Sequence, residues 1–257
     1  MQFQEKKVLV TGAGHGIGLA VAQAFIGEGA RVAINDIIPD RIAAVVEKLG
    51  SHCCGVAGDI SDTEEARSVV SRAAGELGGM DIVVSNAGVY PSHAFLEMDI
   101  NDWDRVMAVN VRGTFLICQA VAQLMVKQKH EGVIVTISSG SARFARVGSA
   151  HYCASKAAVV MLTRVMALEL AAQHVRVNAV CPGLIMTDLQ ETRIDLEAQV
   201  FGTTYQEAKE RLSKTVPMER LGRPAEVADL AVYLASAESS YITGQAVNIG
   251  GGILMEV

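Results

Sequence analysis

The sequence predicts a single α/β domain, a doubly wound parallel sheet with helices on both faces. Three observations lead there. Short β-rich runs alternate with longer helical patterns along the whole chain. Runs such as VLV, IVV and VIV are apolar on both sides, as strands covered by helices on both faces must be. No linker rich in Pro, Gly or Ser divides residues 1–257, so one domain is expected rather than two.

Each element follows in turn. KKVLVTG is a strand, followed by a helix through GIGLAVAQAFIGEGA. RVAIND is a strand and PDRIAAVVEKLG a helix. HCCGVAGDI is a strand and TEEARSVVSRAAGELG a helix. MDIVVSNAG is a strand, and a long helix is expected over residues 101–129. GVIVTISS and VRVNAVCPG are strands on either side of a helix that starts near His151. The tail adds a helix at PAEVADLAVYLAS and a strand at QAVNIGG. One region breaks the rhythm. Residues 184–216 are charged and helical in pattern, and they intervene between two sheet strands. In a doubly wound sheet such an excursion lies at the carboxyl ends of the strands, where ligands bind.

Half of the residues are hydrophobic and 19% are charged, as expected of an ordered globular protein. A formal charge of −6 argues against nucleic acid or an anionic membrane as partner. The apolar runs are short and interrupted, so no membrane span is expected, and the N-terminus lacks the pattern of a secretory signal. The five cysteines (Cys53, Cys54, Cys118, Cys153 and Cys181) are odd in number and form no CxxC pair. They suggest neither a disulfide framework nor a metal site, and they read as reduced thiols of a cytoplasmic protein.

VLVTGAGHGIG sets Gly12, Gly16 and Gly18 between the first strand and the first helix, with His15 and Ile17 in the same loop. Glycines there let the backbone turn tightly and approach a pyrophosphate, which sits on the helix N-terminus. The second strand ends in Asp36, followed by Ile37. A carboxylate at that place accepts from the ribose hydroxyls of NAD and repels the 2′-phosphate of NADP. Neither Asn35 nor Ile37 supplies a positive charge for such a phosphate, and His15 in the loop is a poor substitute for an arginine, so NAD is the expected cofactor.

The helix that follows His151 is apolar almost all round, yet it begins with Tyr152 and carries Lys156 on the same face four residues later. With these two, the TGAGHGIG loop, Asn86–Ala87–Gly88, Asn110, Ser139, Pro182–Gly183 and Thr187 occur in an order and spacing that resembles the short-chain dehydrogenase/reductase family over nearly the whole chain. The resemblance implies a Rossmann-like sheet of seven strands and reversible hydride transfer between a carbinol carbon and a nicotinamide. It also implies roles. Tyr152 is the general acid/base. Lys156 holds the nicotinamide ribose, and its ammonium favours the phenolate of a tyrosine whose free pKa is about 10. Ser139 orients the reacting oxygen, and Asn110 holds a water in a proton relay. Asp59 and Ile60 lie at the adenine. Asn86, Ala87 and Gly88 flank the adenine ribose or stabilise the sheet. Pro182, Gly183, Ile185 and Thr187 form the loop beside the nicotinamide.

The substrate is less legible. The family's carrier-protein-linked 3-oxoacyl reductases carry a basic residue before the VRVN strand and prefer NADP, whereas this chain has Gln173 and Asp36. A secondary alcohol or its ketone (a polyol, sugar or cyclic alcohol) is therefore expected. A 3-oxoacyl reductase or a non-catalytic dinucleotide sensor or scaffold are the alternatives. His93, Ser139, Ser141 and Leu189 are candidate substrate contacts, and Arg143 and Arg146 would suit an acidic one. His151 and Cys153, which flank Tyr152, read as structural. Residues 184–216 are expected to form a flap with Leu189 and Val200 towards substrate and Glu207, Lys209 and Glu210 in water. The family commonly assembles through its two long helices, which implies a dimer or tetramer here.

Overall fold

The structure, a computed structural model, describes residues 1–129 and 131–255. Among them, β1 (Lys7–Thr11), β2 (Arg31–Asp36), β3 (Cys53–Ala57), β4 (Ile82–Ser85), β5 (Gly132–Ile137), β6 (Val175–Pro182) and β7 (Ala246–Ile249) form one sheet in the order β3-β2-β1-β4-β5-β6-β7. Every pairing is parallel. The five inner strands are buried on both sides, and their side chains alternate between two apolar layers. Val8 and Val10 of β1 enter one layer, with Val32, Ile34, Ile82 and Val84. Leu9 enters the other, with Ala33 and Val83.

The first layer is covered by α1 (Gly16–Gly27), α2 (Pro39–Leu49) and α9 (Pro224–Ala235), which bury Val21, Phe25, Ile42, Val227 and Leu234 there. The second is covered by α3 (Thr63–Leu77) and α5 (Thr114–Gln128), with the C-terminal half of α6 (Ala150–Leu170). Helix α3 is capped at both ends. The Asp62 carboxylate accepts from the N–H groups of Glu64 and Glu65, and Gly78 takes the left-handed conformation after the last turn.

The expected helix over 101–129 is not uniform. It consists of α4 (Ile100–Met107), a π-helical turn (Ala108–Gly113) and α5. By length and composition alone, Ile100–Gln128 would also suffice to cross a bilayer, which corrects the expectation that no segment is apolar enough. Half of its most apolar window is buried, and Leu116, Ile117, Val121 and Met125 pack on the sheet. It has the profile of a core helix.

Two elements position the site. The chain reverses direction across the sheet between β1 and β4, and such a switch point opens a crevice at the strands' carboxyl ends. The excursion of residues 184–216 lies beyond β6. It folds as α7 (Asp188–Phe201) and α8 (Tyr205–Ser213) around an apolar cluster of its own that contains Ile194, Ala198, Ala208 and Val216.

Candidate active site

The crevice at the switch point is built first from backbone. The Thr11 hydroxyl accepts from the N–H groups of Asn86 (3.0 Å) and Ala87 (3.1 Å). The Asn86 side chain donates to the carbonyls of Thr11 and Gly12, each at 3.0 Å. These bonds tie the end of β4 to the glycine loop, so Asn86 and Ala87 stabilise the sheet while lining the crevice. A Cβ at Gly12 would meet Ala87 Cα at 2.7 Å, and one at Gly18 would run into the Gly12 carbonyl. Gly16 has φ +56°, and a Cβ there would meet only the Thr187 side chain, at 3.7 Å. Gly12, at φ +62°, and Gly16 thus both turn the chain, and Gly12 and Gly18 serve close packing. Gly18→Ala is expected to cost about 1–3 kcal/mol through overpacking, at roughly 2–4 °C of melting temperature per kcal/mol. An unchanged thermal melt would contradict the close packing of α1 on the loop.

Beside this loop lies a cavity of about 540 Å³. Gly12, His15, Gly16, Ile17, Asp36, Ile37, Asp59, Ile60, Ala87 and Gly88 line it, so all but Gly18 of the residues expected at the adenosine end meet in one place. The N-terminus of α1 has no side-chain cap, which leaves its N–H groups available to an anion. Asp36 is buried, and its oxygens accept from the N–H groups of Gly14 (3.2 Å) and Ile38 (3.0 Å). Arg41 and Arg105 line the same cavity. The sequence reading weighs Asn35, Ile37 and His15 as sources of positive charge and misses Arg41 on the first turn of α2.

A second cavity, of about 410 Å³, continues from the first through the shared walls Ile17, Asn86, Gly88, Val89, Thr187 and Leu189. Ser139, Tyr152, Lys156, Pro182, Gly183 and Ile185 line it. Helix α6 sets Tyr152 and Lys156 one turn apart, with the lysine nitrogen 5.7 Å from the phenol ring centroid. The ammonium donates to the Ile137 carbonyl at 2.9 Å. Burial pushes this lysine down to about 8. Burial also pushes the Tyr152 phenol up to about 12, with hydrogen bonding from Ser139 and the Arg146 charge acting the other way. This balance differs from the expectation that the lysine ammonium would dominate. Desolvation outweighs it here, and the nearby charge that most favours the phenolate is Arg146.

Asn110 lines neither cavity, but it holds the site together. It is buried in the π-helical turn. Its oxygen accepts from the Val89 N–H (2.8 Å), and its amide donates to the Val89 carbonyl (3.1 Å) and the Ser155 hydroxyl (3.0 Å). A Cβ at Gly88 would stand 3.2 Å from this oxygen and 3.5 Å from the lysine nitrogen, so Gly88, Asn110 and Lys156 converge. The irregular turn re-aims a polar side chain out of an apolar helix.

On the substrate side the candidates divide. Leu189 lines both cavities. His93 lines neither: its Nε2 lies 3.0 Å from Asp102, and its ring packs edge-on to His151. Ser141 is buried beneath the second cavity, beside Phe144 and Leu184. Val200 is 78% exposed. It shares the helical stripe of Leu189 but lies roughly 16 Å farther along α7, past the cavity rim. Glu207 and Glu210 are exposed and Lys209 is half-buried. Glu207 also accepts from the Thr204 N–H at 2.8 Å as the partner in a capping box. Arg143 turns away from the cavity and donates to Asn248 Oδ1 (2.9 Å) and the Ala246 carbonyl (2.8 Å), which secures β7. Arg146 does line the cavity. His151 is wholly buried, and its Nδ1 accepts from the Tyr152 N–H. Sequence reasoning missed Tyr90, Gln190, Arg193 and Leu196 on the cavity wall. Tyr90 stacks on Tyr152 with ring centroids 4.4 Å apart. It follows the Asn86–Gly88 motif by two residues, the one signal that could have found it.

A family model described as Enoyl-(Acyl carrier protein) reductase matches residues 12–254. The chain is 38% identical to an L-rhamnose 1-dehydrogenase (NAD(P)(+)) of Sphingomonas sp., with 99% of this chain and 98% of the relative covered. It is 36% identical to a 3-oxoacyl-(acyl-carrier-protein) reductase of Thermotoga maritima, with 99% and 100% covered. It is 33% identical to a sorbitol dehydrogenase of Cereibacter sphaeroides, with 98% of each covered. Among solved structures, a short-chain type dehydrogenase/reductase from Mycobacterium marinum superposes with a TM-score of 0.89 at 38% identity, covering 98% of this chain and 96% of that one.

Proposed function

This chain belongs to the short-chain dehydrogenase/reductase family of dinucleotide-dependent oxidoreductases, and from that premise we propose that it uses NAD to interconvert a secondary alcohol and its ketone. The substrate is a polyol, sugar or cyclic alcohol, and the work is done by Tyr152, Ser139 and Lys156. One observation carries the proposal: these three side chains meet on one cavity that runs without a break into the glycine-loop cavity with Asp36 on its wall. The uncapped end of α1 would hold the pyrophosphate, Asp36 the adenine-ribose hydroxyls and Lys156 the second ribose, and a nicotinamide held there would supply the acceptor or donor of the hydride. Tyr152 takes the hydroxyl proton in oxidation and gives it back in reduction, and Ser139 holds the reacting oxygen towards it. Asn110 keeps Val89 and Ser155 fixed around them, and in this reading it also orders the water that relays protons from Lys156.

Absorbance at the nicotinamide band, with NAD and a panel of secondary alcohols, tests this. No turnover with any of them would favour a dinucleotide sensor or scaffold. A second reading, reduction of a carrier-linked 3-oxoacyl group, is supported by the Thermotoga maritima relative. Gln173 and Asp36 weigh against it, and the same assay with an acyl thioester separates the two.

The excursion of α7 and α8 is the proposed flap. It brings Leu189 and Leu196 to the cavity while it packs on an apolar cluster of its own. A closing element belongs to the less stable part of a fold. Hydrogen exchange over residues 184–216 is expected to slow when NAD and substrate bind. Equal, strong protection in both states would make it a fixed wall. We also place the protein in the cytoplasm as a homodimer or homotetramer. Phe115 on α5 and Met161, Val165 and Leu168 on α6 leave apolar surface exposed, which suits such an assembly.

A further inference from the structure

The substrate end of the second cavity has more positive charge than an uncharged alcohol needs. Arg146 reaches it from the loop between Ser139 and Tyr152, and Arg193 from α7. Neither borders the glycine-loop cavity, so neither is placed to hold the dinucleotide's adenosine half. No Asp or Glu lines the cavity, and among the described residues neither guanidinium has a carboxylate partner. The two feel one another: Arg146 is held below the usual arginine range, by burial first and by the Arg193 charge second.

Unused donors accompany this charge. Arg193 Nη1 and Gln190 Nε2 are both buried without a hydrogen-bond acceptor, and Gln190 as a whole is only 9% exposed. Buried donors ordinarily have partners, and two like charges brought together out of water are costly unless something neutralises them. A neutral polyol hydroxyl can accept from these donors, but it cancels no charge and also brings an O–H donor of its own. An oxyanion only accepts, and it matches the planar fork of a guanidinium with two parallel bonds.

We propose that Arg146, Arg193 and Gln190 form an anion-binding subsite, and that the substrate is a secondary alcohol bearing a carboxylate or phosphate close to its carbinol carbon. The proximity follows from Arg146, which lines the cavity with Tyr152 and Ser139 and shares with Ser139 the wall of a small side cavity of about 20 Å³ as well. This deepens the dehydrogenase reading above and rests on it for the identity of the reacting group. The subsite joins the excursion to the body of the protein, since Gln190 and Arg193 belong to α7 and Arg146 to the loop before α6. An anion between them would draw the two together.

The test separates binding from turnover. A Tyr152→Phe protein loaded with NAD is titrated calorimetrically with two matched sets: glucitol, gluconate and glucitol phosphate, then a butanediol with its hydroxybutanoate and its phosphate ester. In at least one set an anion is expected to bind about tenfold to hundredfold more tightly than the neutral alcohol, as one or two charge-assisted bonds allow. The winning arm tells carboxylate from phosphate. Arg193→Gln and Arg146→Gln should collapse the anion-to-neutral ratio towards one, and Arg193→Lys should restore part of it. If no anion exceeds its neutral partner, or if the ratio survives both glutamine variants, the subsite is wrong. Turnover with the unmutated enzyme is measured alongside. Selective anion binding without hydride transfer would fault the dehydrogenase reading and leave the subsite standing. Turnover of neutral alcohols with no preference for anions would do the reverse.

Discussion

Replacing Tyr152 with phenylalanine is expected to cut turnover by about 10²- to 10⁴-fold, the usual worth of a positioned acid/base, while NAD still binds. The substitution removes one oxygen and keeps the ring that packs against Tyr90, so a loss of fold would not explain the result. Near-normal kcat would overturn the mechanism. The pH dependence gives a second reading of the same group. Burial pushes the phenol up to about 12. As a base it must be deprotonated, so alcohol oxidation should climb with pH across the alkaline range. As an acid it must be protonated, so ketone reduction should hold where oxidation is still climbing. Lys156 has the opposite sense. Burial brings it down to about 8, and its charge, which favours the phenolate, fades as pH rises through that value. Lys156→Ala is expected to damage both turnover and NAD affinity, because the residue lies beside the phenol and, in the proposed reading, holds the second ribose.

How much of this was legible in the sequence depended on the range of the interaction. The strands were legible because a parallel sheet buried on both faces needs unbroken apolar runs, and VLV, IVV and VIV supply them. Tyr152 and Lys156 were legible because four residues is one helical turn. The π-helical turn at Asn110 was not, since an extra residue in the hydrogen-bond register leaves little trace in side-chain periodicity. His93 looked like a free histidine at a strand end. It meets Asp102 only because α4 folds back beside that loop. Arg143 and Arg146 looked equivalent in sequence. The fold spends the first on β7 and aims the second into the cavity beside Arg193, a neighbour 47 residues away. Pairings of that kind are set by tertiary packing, and no local pattern announces them.

Cofactor choice turns on such a pairing too. The unmutated protein is expected to use NAD with a kcat/KM about a hundredfold or more above that with NADP, because a 2′-phosphate would have to lie against the buried Asp36 carboxylate, and such like-charge contacts cost several kcal/mol. The carboxylate cannot swing away, since the N–H groups of Gly14 and Ile38 hold both of its oxygens. Each oxygen keeps acceptor capacity for a ribose hydroxyl. His15 Nδ1 stands 3.9 Å from the carboxylate, beyond hydrogen-bond reach. Arg41 changes what happens once the carboxylate is gone. It lines the same cavity, and its Cβ lies close enough to Gly14 that a side chain there would touch it. Asp36→Ala therefore does two things: it removes repulsion, and it leaves a guanidinium with no opposing carboxylate beside the ribose. The ratio of NAD to NADP efficiency should fall by at least about tenfold, one charge-assisted bond's worth. Asp36→Asn keeps an acceptor for one of the two backbone N–H groups and turns its NH2 towards the other, so it should narrow the ratio at a smaller cost in stability than alanine, which leaves both without an acceptor. The double variant Asp36→Ala with Arg41→Ala should give back most of the gain in NADP use. If the unmutated protein uses NADP as efficiently as NAD, Asp36 does not select the cofactor; if the double variant keeps the full gain, Arg41 has no part in it.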